Sequence, residues 1–288
     1  MNPPETLTHS LTCKAHVFDL SARPCLMGIL NVTPDSFSDG GRYYDQQRAI
    51  EHGLNLAAEG ADIIDVGGES TRPGSRPVDT DEELRRVLPI IKELAGRAGL
   101  AVSIDTMKAE VASRALEAGA CMVNDVSALS DSAMAAIVAN AGVPVVLMHM
   151  PAMPRTMQEH TAYDDIIADI RLYLETRISS AISAGIASHN IIVDPGIGFG
   201  KSLDEGNFTL LARLGELAAL GHPLLVGASR KAFIAKIAGD TIEERDAGTA
   251  AAVAASVLNG ANIIRVHNIA LMRPVALVAH KIACFQKS

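Results

Sequence analysis

The feature that most constrains the fold is an alternation repeated along the whole chain. Short runs of aliphatic and β-branched residues alternate with longer, alanine-rich stretches of helical periodicity. The aliphatic runs predict eight strands, at residues 26–30, 63–66, 101–104, 122–123, 143–148, 191–193, 224–226 and 263–266. Repeated βα units favour a parallel sheet covered by helices. We therefore predict an α/β fold, a single (β/α)8 barrel of the TIM type, in preference to an open doubly wound sheet.

The stretches between the strands predict helices at residues 46–59, 81–95, 108–118, 132–140, 163–184, 205–219 and 245–259. A glycine follows several of these helices, where it can adopt the left-handed conformation that ends a helix; these are Gly60, Gly119, Gly142, Gly185 and Gly260. Residues 9–20 precede the first strand and predict a short hairpin over one end of the barrel. Without a linker-like segment, residues 1–288 are expected to form one domain.

Composition excludes several classes of protein. The formal net charge of −8 argues against a nucleic-acid-binding protein, and no apolar run approaches the roughly 20 residues that span a bilayer. The N-terminus lacks the pattern of a secretory signal. The four cysteines have no metal-finger spacing, which predicts free thiols in a reducing compartment. We therefore expect a cytoplasmic protein with no nucleic-acid or membrane partner.

Almost every predicted strand ends in a polar residue. These residues are Asn31, Asp65, Asp105, Asn124, His149, Asp194, Ser229 and His267. Barrel enzymes assemble their active sites at the carboxyl ends of the strands, so the pattern predicts one ring of functional side chains.

The ring divides into two chemical groups. Asp105, Asn124 and Asp194 offer the acceptors and the amide that suit a flat nitrogen heterocycle. The basic residues Arg72, Arg230, Lys231, Arg265 and His267 predict a local site for phosphate or carboxylate at the mouth of the barrel. We expect the acids and amides at the floor of the cavity and the cations at its rim.

The glycine-rich segment DPGIGFGKS satisfies neither the P-loop pattern nor the Rossmann pattern. It predicts instead a turn that brings the backbone close to a ligand ring, with Phe199 and Lys201 nearby. Long polar loops follow the first two strands and predict mobile lids. Neither a Ser-His-Asp arrangement nor a nucleophile beside His149 or His267 is evident.

Seven motifs, in order across residues 27–268, resemble those of the dihydropteroate synthase family. They are MGILNVTPDSFSDGG, DVGGESTRPG, SIDT, VNDVS, DPGIGFGK, GASRK and RVHN. The family commonly has an acid where this chain has Asn268, which we interpret as a weakened contact at the mouth or a helix cap. Related pterin-dependent methyltransferases share single motifs, and a catalytically silent pterin-binding homologue is the other alternative.

The resemblance implies condensation of 6-hydroxymethyl-7,8-dihydropterin pyrophosphate with p-aminobenzoate, a Mg²⁺ cofactor and a homodimer. It implies a pterin site made of Asp105, Asn124, Met148, Asp194, Phe199 and Lys231. It implies pyrophosphate contacts from Asn31, Thr71, Arg265 and His267, with Asn31 also contacting the metal. It implies a p-aminobenzoate site made of Phe37, Thr71, Arg72, Pro73 and Ser229. Asp35, Arg72 and Lys231 are the expected catalytic residues, the first two through lid closure. We expect Asp105 and Asp194 to be ionised.

Overall fold

A computed structural model describes residues 10–33, 42–72 and 74–286, without the side chains of residues 42–45. Three predicted site residues, Asp35, Phe37 and Pro73, lie outside the described residues.

The chain forms a two-stranded hairpin followed by an eight-stranded parallel barrel. The hairpin pairs β1 (Ser10–Cys13) with β2 (His16–Asp19) in antiparallel register. The barrel strands are β3 (Cys25–Asn31), β4 (Ile63–Gly67), β5 (Val102–Asp105), β6 (Met122–Asp125), β7 (Val145–Met148), β8 (Ile191–Asp194), β9 (Leu225–Val226) and β10 (Ile263–Val266). They pair in the order β8-β7-β6-β5-β4-β3-β10-β9, and a parallel bridge from Val193 to Leu224 joins the two ends. The (β/α)8 barrel and the N-terminal hairpin are thus confirmed.

Helices alternate with the strands, as predicted. They are α1 (Arg42–Ala58), α2 (Thr80–Ile91), α3 (Ala109–Ala118), α4 (Met134–Ala141), α5 (Ile166–Ser183), α6 (Gly206–Ala212), α7 (Ala232–Ala238), α8 (Ile242–Leu258) and α9 (Ile269–Gln286). All five glycines predicted to end helices have positive φ angles, between 63° and 123°. The prediction that these glycines end helices in a left-handed conformation is therefore confirmed.

Two predicted helices were wrong in extent and two helices were missed. The predicted helix 81–95 continues beyond α2 as a wider π-helical turn, Lys92–Arg97, which contains the poor helix former Gly96. The predicted helix 205–219 breaks at Arg213, after which a 3₁₀ helix runs over Leu214–Leu220. The missed helices are α7, which is only seven residues long, and α9, which contains Pro274. Short length and an internal proline both weaken the sequence signal.

The amino-terminal end of the barrel is filled with apolar side chains and covered by the hairpin. Leu11 and Cys13 of β1 pack with residues from the strand bottoms, including Cys25, Ile63 and Cys121. All four cysteines are free thiols, as predicted. Three of them, Cys13, Cys25 and Cys121, lie together in this apolar layer. This layer holds the barrel shut at the end opposite the polar strand ends.

Helix α9 is long and apolar enough, by length and composition, to cross a membrane. It packs against α8, β3 and β10 as the last helix of the barrel, which is the position of an ordinary covering helix. Several large apolar residues on it are nevertheless exposed, among them Val278, Ile282 and Phe285.

The hairpin provides a matched test of how the barrel bottom is stabilised. Leu11 is 1% exposed and Val17, on the partner strand, is 66% exposed. We expect Leu11→Ala to lower the free energy of unfolding by about 2–4 kcal/mol, because a cavity opens against the barrel bottom. Val17→Ala should change it by less than about 0.5 kcal/mol. Urea unfolding followed by circular dichroism measures both, and equal effects would contradict this role of the hairpin.

Candidate active site

The centre of the candidate site is an arginine between two buried acids. The Nε of Arg265 donates to Asp65 Oδ2 and its Nη2 donates to Asp105 Oδ2, both at 2.6 Å. Asp65 lies inside β4, Asp105 ends β5 and Arg265 comes from β10. The three side chains therefore link the neighbouring strands β4 and β5 to β10, which lies beyond β3 in the sheet.

This network leaves two carboxylate oxygens without a hydrogen-bond partner. Asn124 donates through Nδ2 to Asp65 Oδ2 at 2.9 Å, so that one oxygen receives two donors. Asp65 Oδ1 and Asp105 Oδ1 are buried without a hydrogen-bond partner. Buried polar atoms are normally paired, so an unpartnered pair of carboxylate oxygens indicates a place where a ligand supplies donors.

Burial raises the pKa of Asp105 to about 7, although the neighbouring Arg265 guanidinium opposes the rise. Burial also raises the pKa of Asp194. Burial thus opposes the expected ionisation of both carboxyls, and this ionisation stays a prediction. Removal of a carboxylate from water outweighs one nearby cation.

Asp194 and Lys231 belong to the same cluster of charges. The Asp194 carboxylate accepts a hydrogen bond from the backbone of Gly196 at 2.7 Å. Lys231 donates to the carbonyl of Ile197, and its ammonium lies 4.3 Å from the centre of the Phe199 ring. Burial lowers the pKa of Lys231 to about 7, with Asp194 and Asp105 acting against the shift. The lysine and the glycine-rich loop are thus held together beside the acids.

Met148 contributes an apolar surface next to this cluster. It is buried with Val126, Met150 and Met157, and Phe199 packs against the group. A flat ring placed against the acids would have an apolar wall at this side.

Ser229 and His267 form a pair that the sequence did not reveal. Ser229 Oγ lies 2.9 Å from His267 Nδ1, so the prediction of no nucleophile beside His267 is wrong in geometry. Burial and the nearby Arg265 lower the pKa of His267 to about 3, which keeps the ring neutral. The backbone amide of His267 also donates to Ser229 Oγ at 3.2 Å. The pair orients two polar groups and lacks the acid of a triad, since the adjacent Asp246 is engaged elsewhere.

Arg230 lies close enough to the predicted cation group for its charge to help lower the pKa of His267, but its guanidinium is paired with an acid on α8. Its φ angle is 56°, and its guanidinium binds both carboxylate oxygens of Asp246 on α8, at 2.7 and 2.9 Å. Asn268 donates to the same carboxylate at 2.8 Å and accepts from the amide of Leu271 at 3.1 Å. Of the two interpretations of Asn268, the helix cap is therefore the one observed at α9.

The loop after β4 has a charged base below Thr71 and Arg72. Lys108 forms ion pairs with Glu69, in that loop, and with the fully buried Glu83 of α2, the latter at 2.5 Å. Thr71 is partly buried and Arg72 is exposed. Asn31, at the end of β3, is partly buried beside Gly67 at the end of β4.

The structure thus brings most of the predicted residues to one interior, with two differences. Arg265 lies among the acids and not at the rim, because its long side chain extends inward from mid-strand. Asp65 was predicted as a strand end without a role, and the buried lysine Lys201 was noted only as a neighbour of the loop. The available signal was a charged residue within an apolar run for Asp65, and a lysine in the glycine-rich segment after a strand for Lys201.

A (β/α)8 barrel with buried acids and cations inside it, near the carboxyl ends of its strands, is the class of protein that this fold and these side chains define. The profile of the family described as pterin binding enzyme matches residues 27–267. The chain belongs to this family.

Dihydropteroate synthases are the members of the family that it resembles. A curated dihydropteroate synthase of Synechocystis is 45% identical over 265 residues, which covers 91% of each chain. The Yersinia pestis dihydropteroate synthase, solved with a sulfonamide drug, matches with a TM-score of 0.89 at 40% identity over 96% of this chain and 99% of that one. The Xanthomonas albilineans enzyme, solved with 4-aminobenzoic acid, matches with a TM-score of 0.89 at 45% identity over 96% and 98%.

The central ion network predicts that replacing one carboxylate by an amide, in Asp65→Asn, lowers the stability of the fold strongly. Asp65→Asn keeps the shape of the side chain but leaves the Arg265 charge with Asp105 as its one acidic partner in the network. We expect the free energy of unfolding to fall by about 3 kcal/mol, because breaking a buried pair leaves charge uncompensated. The control is Asp204→Asn, in an ion pair whose acid is 72% exposed, which should cost less than about 1 kcal/mol. Denaturant titration of both variants decides, and a small effect of Asp65→Asn would contradict the assignment.

Proposed function

We propose that the protein condenses 6-hydroxymethyl-7,8-dihydropterin pyrophosphate with p-aminobenzoate, releasing pyrophosphate and forming 7,8-dihydropteroate. It is a transferase of folate biosynthesis. The observation that carries the proposal is the group of unpartnered acid oxygens around Arg265, in a chain that aligns over nearly its full length with dihydropteroate synthases.

The pterin is proposed to bind the buried acids. Its ring N–H and amino groups donate to carboxylates, and Asp105 and Asp194 supply such acceptors in the barrel. Asn124 offers an amide, and Lys231 offers donors to the ring carbonyl. Met148 and Phe199 provide the apolar contacts of the ring.

The pyrophosphate and the arylamine are proposed to bind above the pterin. Arg265 and His267 bind the pyrophosphate with Asn31 and Thr71, and the bonds of Arg265 to the acids leave Nη1 unused. The p-aminobenzoate site contains Thr71, Arg72 and Ser229, together with Phe37 and Pro73. Asp35 and Arg72 act as lid residues.

The proposed reaction is a substitution at the pterin methylene carbon. The bond to the pyrophosphate oxygen breaks, the ring and the nearby carboxylates stabilise the developing positive charge, and the arylamine nitrogen then forms the new bond and loses a proton to water. Lys231 serves binding and not base catalysis. The protein's contribution is position and electrostatics, so no covalent enzyme intermediate is required.

A Mg²⁺ ion bound with the pyrophosphate would neutralise part of its charge. Asn31 would hold it. Among the described residues no group of three or more His, Cys, Asp or Glu side chains could form a protein cage for a metal. One amide oxygen, with substrate oxygens and water, agrees with the way Mg²⁺ is bound beside phosphates.

The proposed activity is tested by release of pyrophosphate from the pterin substrate. The purified protein should release it rapidly only when both p-aminobenzoate and Mg²⁺ are present, and the product should be dihydropteroate by mass. Removal of Mg²⁺ with a chelator should suppress turnover. If the protein binds pterin without arylamine-dependent release, the silent homologue replaces the synthase, whereas methyl transfer to a corrinoid would support the other alternative.

Pterin affinity should depend on pH through Asp105. A carboxylate accepts the pterin donors and a proton competes with them, so with a pKa of about 7 the affinity should fall as the pH is lowered through neutrality. The expected loss is up to about tenfold per pH unit. Lys231 gains its charge over the same range, so Asp105→Asn serves as the comparison. Calorimetric titration should find weak binding to the variant, without the Asp105 component of the pH dependence; an identical pH profile in both proteins would contradict it.

We also propose a homodimer formed through α8 and α9. The two helices line an apolar groove with Ala254, Leu258, Pro274, Val275, Val278, Ala279 and Ile282. Val278, Ile282 and Phe285 are 60%, 48% and 72% exposed. An apolar helix face of this kind marks an interaction site, and a second copy across a two-fold axis would cover both faces at once.

The dimer predicts the behaviour of two valine variants. The wild-type protein should sediment at twice the 30.3 kDa mass of the chain. Val278→Glu places a charge in the groove and should yield monomers, because the charge loses water in the dimer. Val17→Glu on the hairpin, at a position with similar exposure, should remain dimeric. A monomeric wild-type protein, or a dimeric Val278→Glu variant, would count against this interface.

The reaction is proposed to take place in the cytoplasm. Free thiols at Cys13, Cys25 and Cys121 support a reducing compartment. The partners proposed are the two small-molecule substrates and a second copy of the chain.

A further inference from the structure

Lys201 is a buried lysine without a role in the proposed reaction. Its side chain is fully buried, whereas lysine is almost never found so without a partner. It ends the glycine-rich segment that begins at Asp194 and includes Phe199. The residue therefore lies in the loop that carries part of the pterin site, but on a side that faces the protein.

The partner of Lys201 is His149, directly after β7. Lys201 Nζ lies 2.8 Å from His149 Nδ1 and donates to the His149 carbonyl at 3.0 Å. The His149 backbone amide in turn donates to the Asp194 carbonyl at 2.9 Å. Two contacts from Lys201 to His149 and one from His149 to Asp194 thus connect the buried lysine to the backbone of a proposed pterin-binding acid.

Burial acts on the pKa of both partners. It lowers the pKa of Lys201 well below its ordinary value, although the Asp194 carboxylate opposes this shift. Burial and the neighbouring Lys201 lower the pKa of His149 to about 3, so the imidazole is neutral. Its Nδ1 then accepts from Lys201, and the ring proton resides on Nε2. The ring also meets Tyr173 of α5 edge to face, with 4.8 Å between centres. His149 therefore joins the loop to the helix layer outside the barrel.

The backbone of the glycine-rich loop passes so close to His149 at Gly196 that there is no room for a side chain. Gly196 has a φ of +70°, and a Cβ on it would overlap the His149 carbonyl oxygen and lie 3.0 Å from Lys201 Nζ. Further hydrogen bonds hold the next residues, from Tyr163 Oη to the Gly200 carbonyl and from the Gly198 amide to Asn207 Oδ1, at 2.7 and 2.6 Å. The position of the loop is thus determined from its outer side.

We propose that Lys201 and His149, which we call the loop clamp, position the pterin-binding face of the glycine-rich loop. The clamp contacts no reacting atom and acts through Asp194, Phe199 and the Ile197 carbonyl that Lys231 binds. The inference deepens the proposed function and depends on it, because the loop matters for turnover only if it binds the pterin.

Three variants separate the clamp from general packing. Lys201→Met keeps the length and burial of the side chain but removes its donors. The leucine of His149→Leu and the asparagine of His149→Asn have nearly the same shape, and both variants lose the edge-to-face contact with Tyr173. Only the asparagine keeps an acceptor where Nδ1 of the histidine lies. Lys92→Met removes an exposed lysine elsewhere and serves as the control for loss of one charge.

The measurements are calorimetric binding of 6-hydroxymethyl-7,8-dihydropterin and the steady-state constants for both substrates. Lys201→Met and His149→Leu should weaken pterin binding and raise the KM for the pterin substrate by about 10- to 100-fold, since small displacements of positioning groups have effects of this size. The KM for p-aminobenzoate should change much less. His149→Asn should recover most of the pterin affinity, and Lys92→Met should match the wild type.

Wild-type pterin affinity in folded Lys201→Met or His149→Leu protein would overturn the clamp. Equal losses in His149→Leu and His149→Asn would also overturn it, because they would assign the effect to ring packing. If Lys201→Met does not fold, the His149 pair decides the question by the same comparison. A wild-type protein that binds no pterin would instead refute the proposed function, before any variant is compared.

Discussion

The structure depends on the contact of one arginine with two acids inside a barrel. Arg265 could not be buried alone, and neither could Asp65 or Asp105, because each charge loses the stabilisation of water. Together they compensate one another's charge through two hydrogen bonds that join three strands. The arrangement leaves two carboxylate oxygens open, and those oxygens are what a ligand with paired N–H donors would bind. The same carboxyl groups thus pair with the arginine through one oxygen and keep the other without a partner.

The barrel interior separates these tasks along its axis. Towards the amino ends of the strands the interior is apolar and covered by the hairpin, and this part contributes burial without chemistry. Towards the carboxyl ends it becomes charged. Residues behind the charged layer, such as Lys108 with Glu83, and Arg230 with Asp246, hold the loops and turns that carry the site. These two ion pairs therefore connect parts of the protein to one another outside the central acid network.

The sequence predicted the barrel and many of the residues that gather inside it because both depend on short-range patterns. Each strand is an aliphatic run, and each polar residue after it follows automatically at the same end of the sheet. The errors arose where a side chain reaches far from its own strand. Arg265 extends inward to the acids, Arg230 pairs with Asp246 of α8, and Ser229 meets His267 across 38 positions of sequence. Neither spacing nor composition reports these directions.

The sequence by itself determined the alternating βα order, the ends of many helices and which residue types occur at the strand ends. These follow from local periodicity, glycine conformation and apolar burial, which act over a few residues. Only the tertiary structure decided the partners: Asp65 and Asp105 with Arg265, Lys201 with His149, and Asn268 with Asp246. Pairing of buried charges depends on distances between segments far apart in the chain, and those distances exist only once the barrel has closed.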